Sequence, residues 1–85
     1  MAPTTILWDL DDDPDGNVAH IAEHGLTKQE VEKALKNQLG TDVSRSSGHP
    51  IAFGITDTSR IIAVVYEEID KETIYPITAF EVEER

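Results

Sequence analysis

The sequence has no cysteine, and its 85 residues carry 7 lysine and arginine side chains against 17 aspartates and glutamates. The lack of cysteine excludes disulfides and thiolate chemistry, and it favours a reducing, cytoplasmic setting. The net charge of −10 opposes nucleic-acid binding, because lysine and arginine have to neutralise phosphates there. A basic protein surface or a small ligand is the partner that this charge favours. No cofactor is expected.

Long apolar runs are also lacking, and none approaches the roughly 20 residues that a membrane-spanning helix needs. The first residues, MAPTTILWD, have neither a basic region nor a long apolar region, so we expect no signal peptide. A chain of this length can bury one compact core and no second one. We therefore expect a single domain over residues 1–85, with no association with a membrane.

The first half of the chain predicts a short strand and two helices. The β-branched and aromatic run Thr4–Trp8 predicts the strand. Asn17 is predicted to cap a first helix over Asn17–His24, which Gly25 closes in the left-handed conformation. The second helix is predicted over Lys28–Leu39, with Gly40 ending it. Its signals are a capping box, a hydrophobic staple and an apolar stripe, carried by Thr27 and Glu30, by Leu26 and Val31, and by Val31, Ala34, Leu35 and Leu39.

The second half predicts strands joined by short loops. Alternation places Ile51, Phe53 and Ile55 on one face, and an almost unbroken apolar run predicts a strand covered on both faces. Pro76 cannot donate to a ladder, so we expect it at an edge or a bulge. The predicted fold class is α+β in two layers, with a three- to four-stranded antiparallel meander and the helices on one face. Its segments are Thr41–Ser47, Ile51–Thr56, Arg60–Ile69 and Thr73–Val82.

The acidic segment before the first helix matches half of a calcium-binding EF-hand loop. Asp11, Asp13, Asp15 and Gly16 satisfy the spacing D-x-D-x-D-G. The twelfth position, which needs a bidentate carboxylate, is Ala22, and the preceding segment is strand-like rather than helical. We therefore interpret the segment as a turn leading into a helix N-terminus, where aspartate is favourable.

His20 and His24 are spaced by four residues, which places them side by side on a helix. That spacing can bind a transition metal with a carboxylate such as Asp13 as third ligand, which would make a metal-responsive domain. The alternative is that His24 meets the helix C-terminus while His20 is solvated or hydrogen-bonded. We favour the alternative and predict no metal site.

Arg45, His49 and Arg60 are the basic residues in or beside the predicted sheet. Strand pairing that brought the two arginines together would form a small anion-binding site, which Tyr66 and Tyr75 could line. The alternative is that the arginines form cross-strand salt bridges. The acids available for such bridges are Glu67, Glu68 and Glu72.

Short motifs follow one another along the chain in a particular order. They are WD at Trp8–Asp9, Asn17, HG at His24–Gly25, EV at Glu30–Val31, FG at Phe53–Gly54, Arg60, VVY at Val64–Tyr66 and TA at Thr78–Ala79. In this order and spacing the chain resembles the BrnT-like family of small bacterial toxins, which share the RelE-like fold. The resemblance covers roughly residues 6 to 82.

This resemblance implies a ribonuclease that stops translation and is held inactive by an antitoxin, but the basic residues of the family pattern are replaced. Acidic side chains stand at residues 11–13, Glu23 and residues 67–68, and Phe80 replaces an arginine, while Arg60 keeps its match. The leading hypothesis is therefore a binding or interaction module without ribonuclease activity. The alternative is a ribonuclease toxin with a rearranged site, in which Arg60 stabilises the phosphate, His20 or His24 acts as general acid or base, and Tyr66 assists.

Overall fold

The computed structural model describes residues 5–82, and within them the chain is an α+β structure with two helices and a five-stranded mixed sheet. Thr4, predicted to begin the first strand, lies outside the described residues. The strand order is β1-β5-β4-β3-β2. The elements in chain order are β1 (Thr5–Ile6), α1 (Asn17–Ala22), α2 (Lys28–Lys36), β2 (Gln38–Val43), β3 (Pro50–Ile55), β4 (Ile61–Glu68) and β5 (Thr73–Glu81).

Helix α1 is shorter than predicted, and its N-terminus is built differently. Gly16 occupies the N-cap position, and no side chain caps the helix. The prediction that Asn17 caps it was wrong, because the Asn17 side chain bonds to other parts of the chain. At the other end Gly25 has φ +76, as predicted, and its N–H donates to the Ala22 carbonyl while the Leu26 N–H donates to the Ile21 carbonyl. This pair of bonds is the Schellman arrangement that ends helices at a left-handed glycine.

Helix α2 begins as predicted and ends three residues early. Thr27 and Glu30 form both hydrogen bonds of the capping box. Beyond the helix, Asn37 is the C-cap residue and Gly40 pairs with Phe53 in the sheet. The prediction that the helix continues to Leu39 was wrong. The helical spacing of Leu39 from Leu35 suggested that the apolar stripe, and with it the helix, continued to residue 39. Residues 38–43 instead pair with the next strand, and Leu39 is 61% exposed.

Strands β2 to β5 form the predicted antiparallel meander, and β1 adds a parallel strand beside β5. The first strand of the meander lies earlier than predicted, because the chain turns after Val43 instead of continuing to Ser47. The register shifts between Val65 and Tyr66, so Pro76 adjoins an irregularity in the ladder, as predicted.

The core lies between the helices and one face of the sheet. It contains apolar residues from both helices and from strands β3, β4 and β5. Side chains alternate along β3, so buried Ala52 faces this core, whereas Ile51, Phe53 and Ile55 face the opposite side and are half-buried. Ala63 is also fully buried, because the register places it between Phe53 and Phe80. The prediction that β4 is covered on both faces is confirmed at its centre.

Candidate functional site

Arg60, which the resemblance in sequence implies would stabilise a phosphate, is held between two carboxylates. Its guanidinium lies 2.8 Å from Glu30 of α2 and 3.0 Å from Glu81 of β5. The hydrogen bond to Glu81 is the largest of the effects that raise the pKa of Arg60. The partners are therefore not Glu67, Glu68 or Glu72, which the salt-bridge alternative named. Two negative charges against one positive charge leave this cluster unsuited to receive a phosphate.

The structure does not bring Arg45 and Arg60 together. Arg45 is exposed in the turn between β2 and β3, whereas Arg60 follows the turn after β3. The six residues of β3 separate the two turns by roughly 20 Å at about 3.3 Å per residue. His49 belongs to the first turn, where its carbonyl accepts the Ser44 N–H. The condition for an anion site that contains both arginines is therefore not met.

His20 and His24 lie together, with ring centroids 6.0 Å apart and the rings stacked at 21°. The ring of His24 also lies 6.4 Å from Phe80, the position at which the resemblance in sequence implied an arginine. Within residues 5–82 no group of three histidine, aspartate or glutamate side chains is arranged to hold a metal ion. The histidine pair therefore does not join Asp13 in a metal site, and Asp13 instead accepts the Asp15 N–H.

Tyr66 lines an open cleft of about 190 Å³ on the helix side of the sheet. Burial raises the pKa of its hydroxyl, and the charge of Glu68 raises it further. Tyr66 lies four residues after Ile62, whose register partner is Glu81, so it is about 13 Å along β4 from the Arg60 cluster. The other lining residues are Leu35, Gln38, Thr41, Glu68, Asp70, Lys71 and Ile74.

A polar network that sequence reasoning missed joins Asp9, Asn17 and Tyr75. The Tyr75 hydroxyl donates to Asp9 Oδ2 at 2.5 Å, and the Asn17 N–H donates to the same oxygen at 2.8 Å. The Tyr75 bond is the larger cause that lowers the pKa of Asp9, and in return it raises the pKa of Tyr75 to about 12. Tyr75, predicted to bind an anion, therefore bonds to a carboxylate of its own chain. The sequence signal that could have indicated the network was the occurrence of Asn17 eight residues after Asp9 of the WD motif.

The side chain of Asn17 is 2% exposed and ties three backbone segments together. Its Oδ1 accepts the Asp9 N–H at 2.9 Å, and its Nδ2 donates to the carbonyls of Leu7 at 3.1 Å and Pro76 at 2.9 Å. The Pro76 carbonyl points to the same side of β5 as the carbonyl of Ile74, which accepts the Leu7 N–H, but it lies beyond the end of the short strand β1. Asn17 thus covers the strand edge near Pro76 from within the chain.

Arg60 and His24 contact adjacent residues of β5, Glu81 and Phe80, whereas Tyr66 lies farther along the sheet. Arg60 joins the start of α2 to the end of β5, His24 lies beside Phe80 and stacks on His20, and Tyr66 lines the cleft at the far end of β4. The cleft that Tyr66 lines contains neither Arg60 nor a histidine, so it does not unite the residues of the ribonuclease alternative.

Comparison of the chain with protein-family models, with curated proteins and with solved structures found no match. Among the described residues 5–82, neither helix has the length and apolar character needed to cross a bilayer.

Proposed function

We propose that this protein is a cytoplasmic, non-catalytic binding module, built on a divergent BrnT-like scaffold with the RelE-like fold, that holds a protein partner through a basic surface of that partner. The proposal combines the resemblance in sequence with the placement of the basic residues. The net charge of −10 favours a positively charged partner.

The observation that carries the proposal is the pairing of Arg60 with Glu30 and Glu81. A ribonuclease needs preorganised positive charge where negative charge develops on the phosphoryl group. Here the guanidinium that matches the family pattern is already bonded to two carboxylates. An incoming phosphate would have to displace them and would meet their negative charge.

The surroundings of the histidines support the same conclusion. His24 packs beside Phe80, so an apolar ring occupies the place where the resemblance implies a guanidinium. A phenyl ring offers a phosphate no positive charge and no strong hydrogen-bond donor. Arg60, which bonds to the adjacent Glu81, is already paired with carboxylates, so it would give a phosphate beside the histidines little of the electrostatic stabilisation that phosphoryl chemistry requires.

Inducible expression of the full chain tests this proposal against a ribonuclease toxin. We expect unchanged growth, intact messenger RNA and no salt-sensitive RNA binding by the purified protein. Arg60→Gln and His24→Ala are the matched variants, because each removes one group that a toxin would need. Growth arrest with RNA cleavage by the unaltered chain, abolished in either variant, would refute the proposal and establish the ribonuclease.

A further inference from the structure

Strand β2 forms an open edge of the sheet. All six residues of Gln38–Val43 are exposed, and β2 is the last strand in the sheet order. The Ser44 N–H donates to the His49 carbonyl across the hairpin, so the backbone groups of Ser44 point toward β3. Along an edge strand of an antiparallel pair, residues whose backbone groups point toward the partner alternate with residues whose backbone groups point away from it. The backbone groups of Thr41 and Val43 therefore point away from β3. Such a row of outward N–H and C=O groups is a template for another strand.

One of these outward groups is occupied within the chain, and the others are open. Asp42 Oδ1 accepts the Val43 N–H at 2.8 Å. Within residues 5–82, no hydrogen bond engages the Thr41 N–H, the Thr41 carbonyl or the Val43 carbonyl from the outer side. An antiparallel strand opposite Thr41 would form a pair of bonds with it and donate one more to Val43.

The two edges of the sheet differ in this respect. On the β5 side, β1 pairs with Thr73 and Ile74, and the Asn17 side chain covers the Pro76 carbonyl. On the β2 side the strand carries exposed Val43, 58% exposed, and no lysine that would discourage pairing. The β5 edge is thus partly covered by β1 and Asn17, whereas β2 has no neighbour on its outer side within residues 5–82.

The cleft that contains Tyr66 adjoins this open edge and supplies negative charge. Thr41 of β2 lines the cleft, and so do two acids, Glu68 and Asp70, and one base, Lys71. The backbone N–H of Glu72 is the largest cause of a lowered pKa at Asp70, which keeps that carboxylate ionised. The exposed Glu68 forms no salt bridge within the described chain.

We propose that β2 accepts an extended segment of a partner protein, which adds a sixth strand to the sheet and places a lysine or arginine in the cleft beside Glu68 and Tyr66. The segment's main chain bonds to Thr41 and Val43. Its cation meets the carboxylate of Glu68 and the ring face of Tyr66, both of which attract positive charge. The inference rests on the proposed function and specifies its surface and partner.

Charge decides against two other occupants of the edge. A second copy of this chain would bring a further net charge of −10 and a second Asp42 to the same edge. An acidic segment would be repelled by Glu68 and Asp70, because Lys71 is the one base that lines the cleft within residues 5–82 and the two acids outweigh it. A basic extended segment satisfies the carboxylates and the strand edge at once.

An octapeptide of alternating arginine and valine, acetylated and amidated at its ends, is the probe. Titrated into the isotopically labelled full-length protein, it should shift the amide resonances of residues 38–43 and 66–71 and leave those of α1 unchanged. The same peptide with N-methylated backbone amides, and one with glutamate for arginine, should each bind at least about tenfold more weakly. These comparisons leave the protein unaltered.

Two pairs of protein variants test the proposal further. One pair distinguishes a specific contact with the Glu68 carboxylate from attraction by net charge, and the other distinguishes backbone pairing at β2 from an effect of the Thr41 side chain. Glu68→Lys should weaken binding at least about tenfold, whereas Glu67→Lys makes the same charge change on the opposite face of β4 and should leave it within about twofold. Thr41→Pro removes an outward N–H and should therefore weaken binding similarly. The variant should still fold, because proline is tolerated on edge strands. Thr41→Val, which keeps the N–H, is its control.

Equal losses in Glu68→Lys and Glu67→Lys would show attraction by net charge alone and overturn the proposal. Undiminished binding of the N-methylated peptide, absence of binding, or shifts located outside β2 and the cleft would overturn it as well. RNA cleavage by the unaltered protein would instead refute the proposed function, and this outcome is measured separately from peptide binding.

Discussion

Asn17 is the side chain whose removal should cost the fold most for its size. Its amide satisfies the Asp9 N–H and the carbonyls of Leu7 and Pro76, which belong to two backbone segments far apart in sequence. Asn17→Ala leaves all three groups without this partner. Because the side chain is buried, water cannot reach these groups without rearrangement of the segment before α1.

The size of the effect follows from the burial of each bond. A buried polar group left unpaired costs about 1–3 kcal/mol. The bond to Pro76 is buried, whereas those to Leu7 and Asp9 are part-buried, so we expect a total of roughly 3 kcal/mol for Asn17→Ala. Domains are stable by about 5–15 kcal/mol, so this loss is a large fraction of the whole.

Urea unfolding followed by Trp8 fluorescence and circular dichroism measures this free energy of unfolding. Asn37→Ala is the matched control, because exposed Asn37 also bonds to a backbone carbonyl, that of Lys33. It should cost less than about 0.5 kcal/mol, as surface substitutions usually do. Asn17→Asp should be at least as damaging as Asn17→Ala, since an oxygen would face two carbonyls. Equal small losses in Asn17→Ala and Asn37→Ala would refute this account of the network.

Two further predictions concern packing and titration. Gly54→Ala should destabilise the protein by about 3 kcal/mol in the same urea assay, because its Cβ would lie 1.9 Å from the Ala34 carbonyl oxygen; a loss below about 1 kcal/mol would contradict the close approach of α2 to β3. The Tyr75 hydroxyl should ionise near pH 12 in an ultraviolet titration, and Asp9→Asn should lower that pKa toward 10. Because the folded pKa of Tyr75 is raised, its stabilisation is complete below pH 10 and is lost between about pH 10 and 12. Because the folded pKa of Asp9 lies below 3.8, its contribution is present above that pH and is lost as the pH falls through the folded value, so Asp9→Asn should flatten the acid limb of stability. Unchanged alkaline and acid limbs in Asp9→Asn would contradict the bond between the two side chains.

The candidate site was predictable only in its parts. The sequence indicated which residues could do chemistry, and two of them, His20 and His24, do lie together because their spacing is local. The distance between Arg45 and Arg60 depends on which ends of β3 their turns occupy, and no local pattern reports that. The partners of Arg60 come from residues 30 and 81, which are distant in sequence and adjacent only in the fold.

By itself the sequence determined the features that depend on a few neighbouring residues: the capping box at Thr27, the left-handed turn at Gly25, the last three strands of the meander and the irregularity near Pro76. These follow from backbone conformation and hydrogen bonds within a short segment. Only the tertiary structure decided where α2 ends and what Asn17 does. Residues 38–43 complete their backbone hydrogen bonds with β3 rather than with the helix, and the Asn17 amide meets carbonyls that the folded chain brings to it from residues 7 and 76.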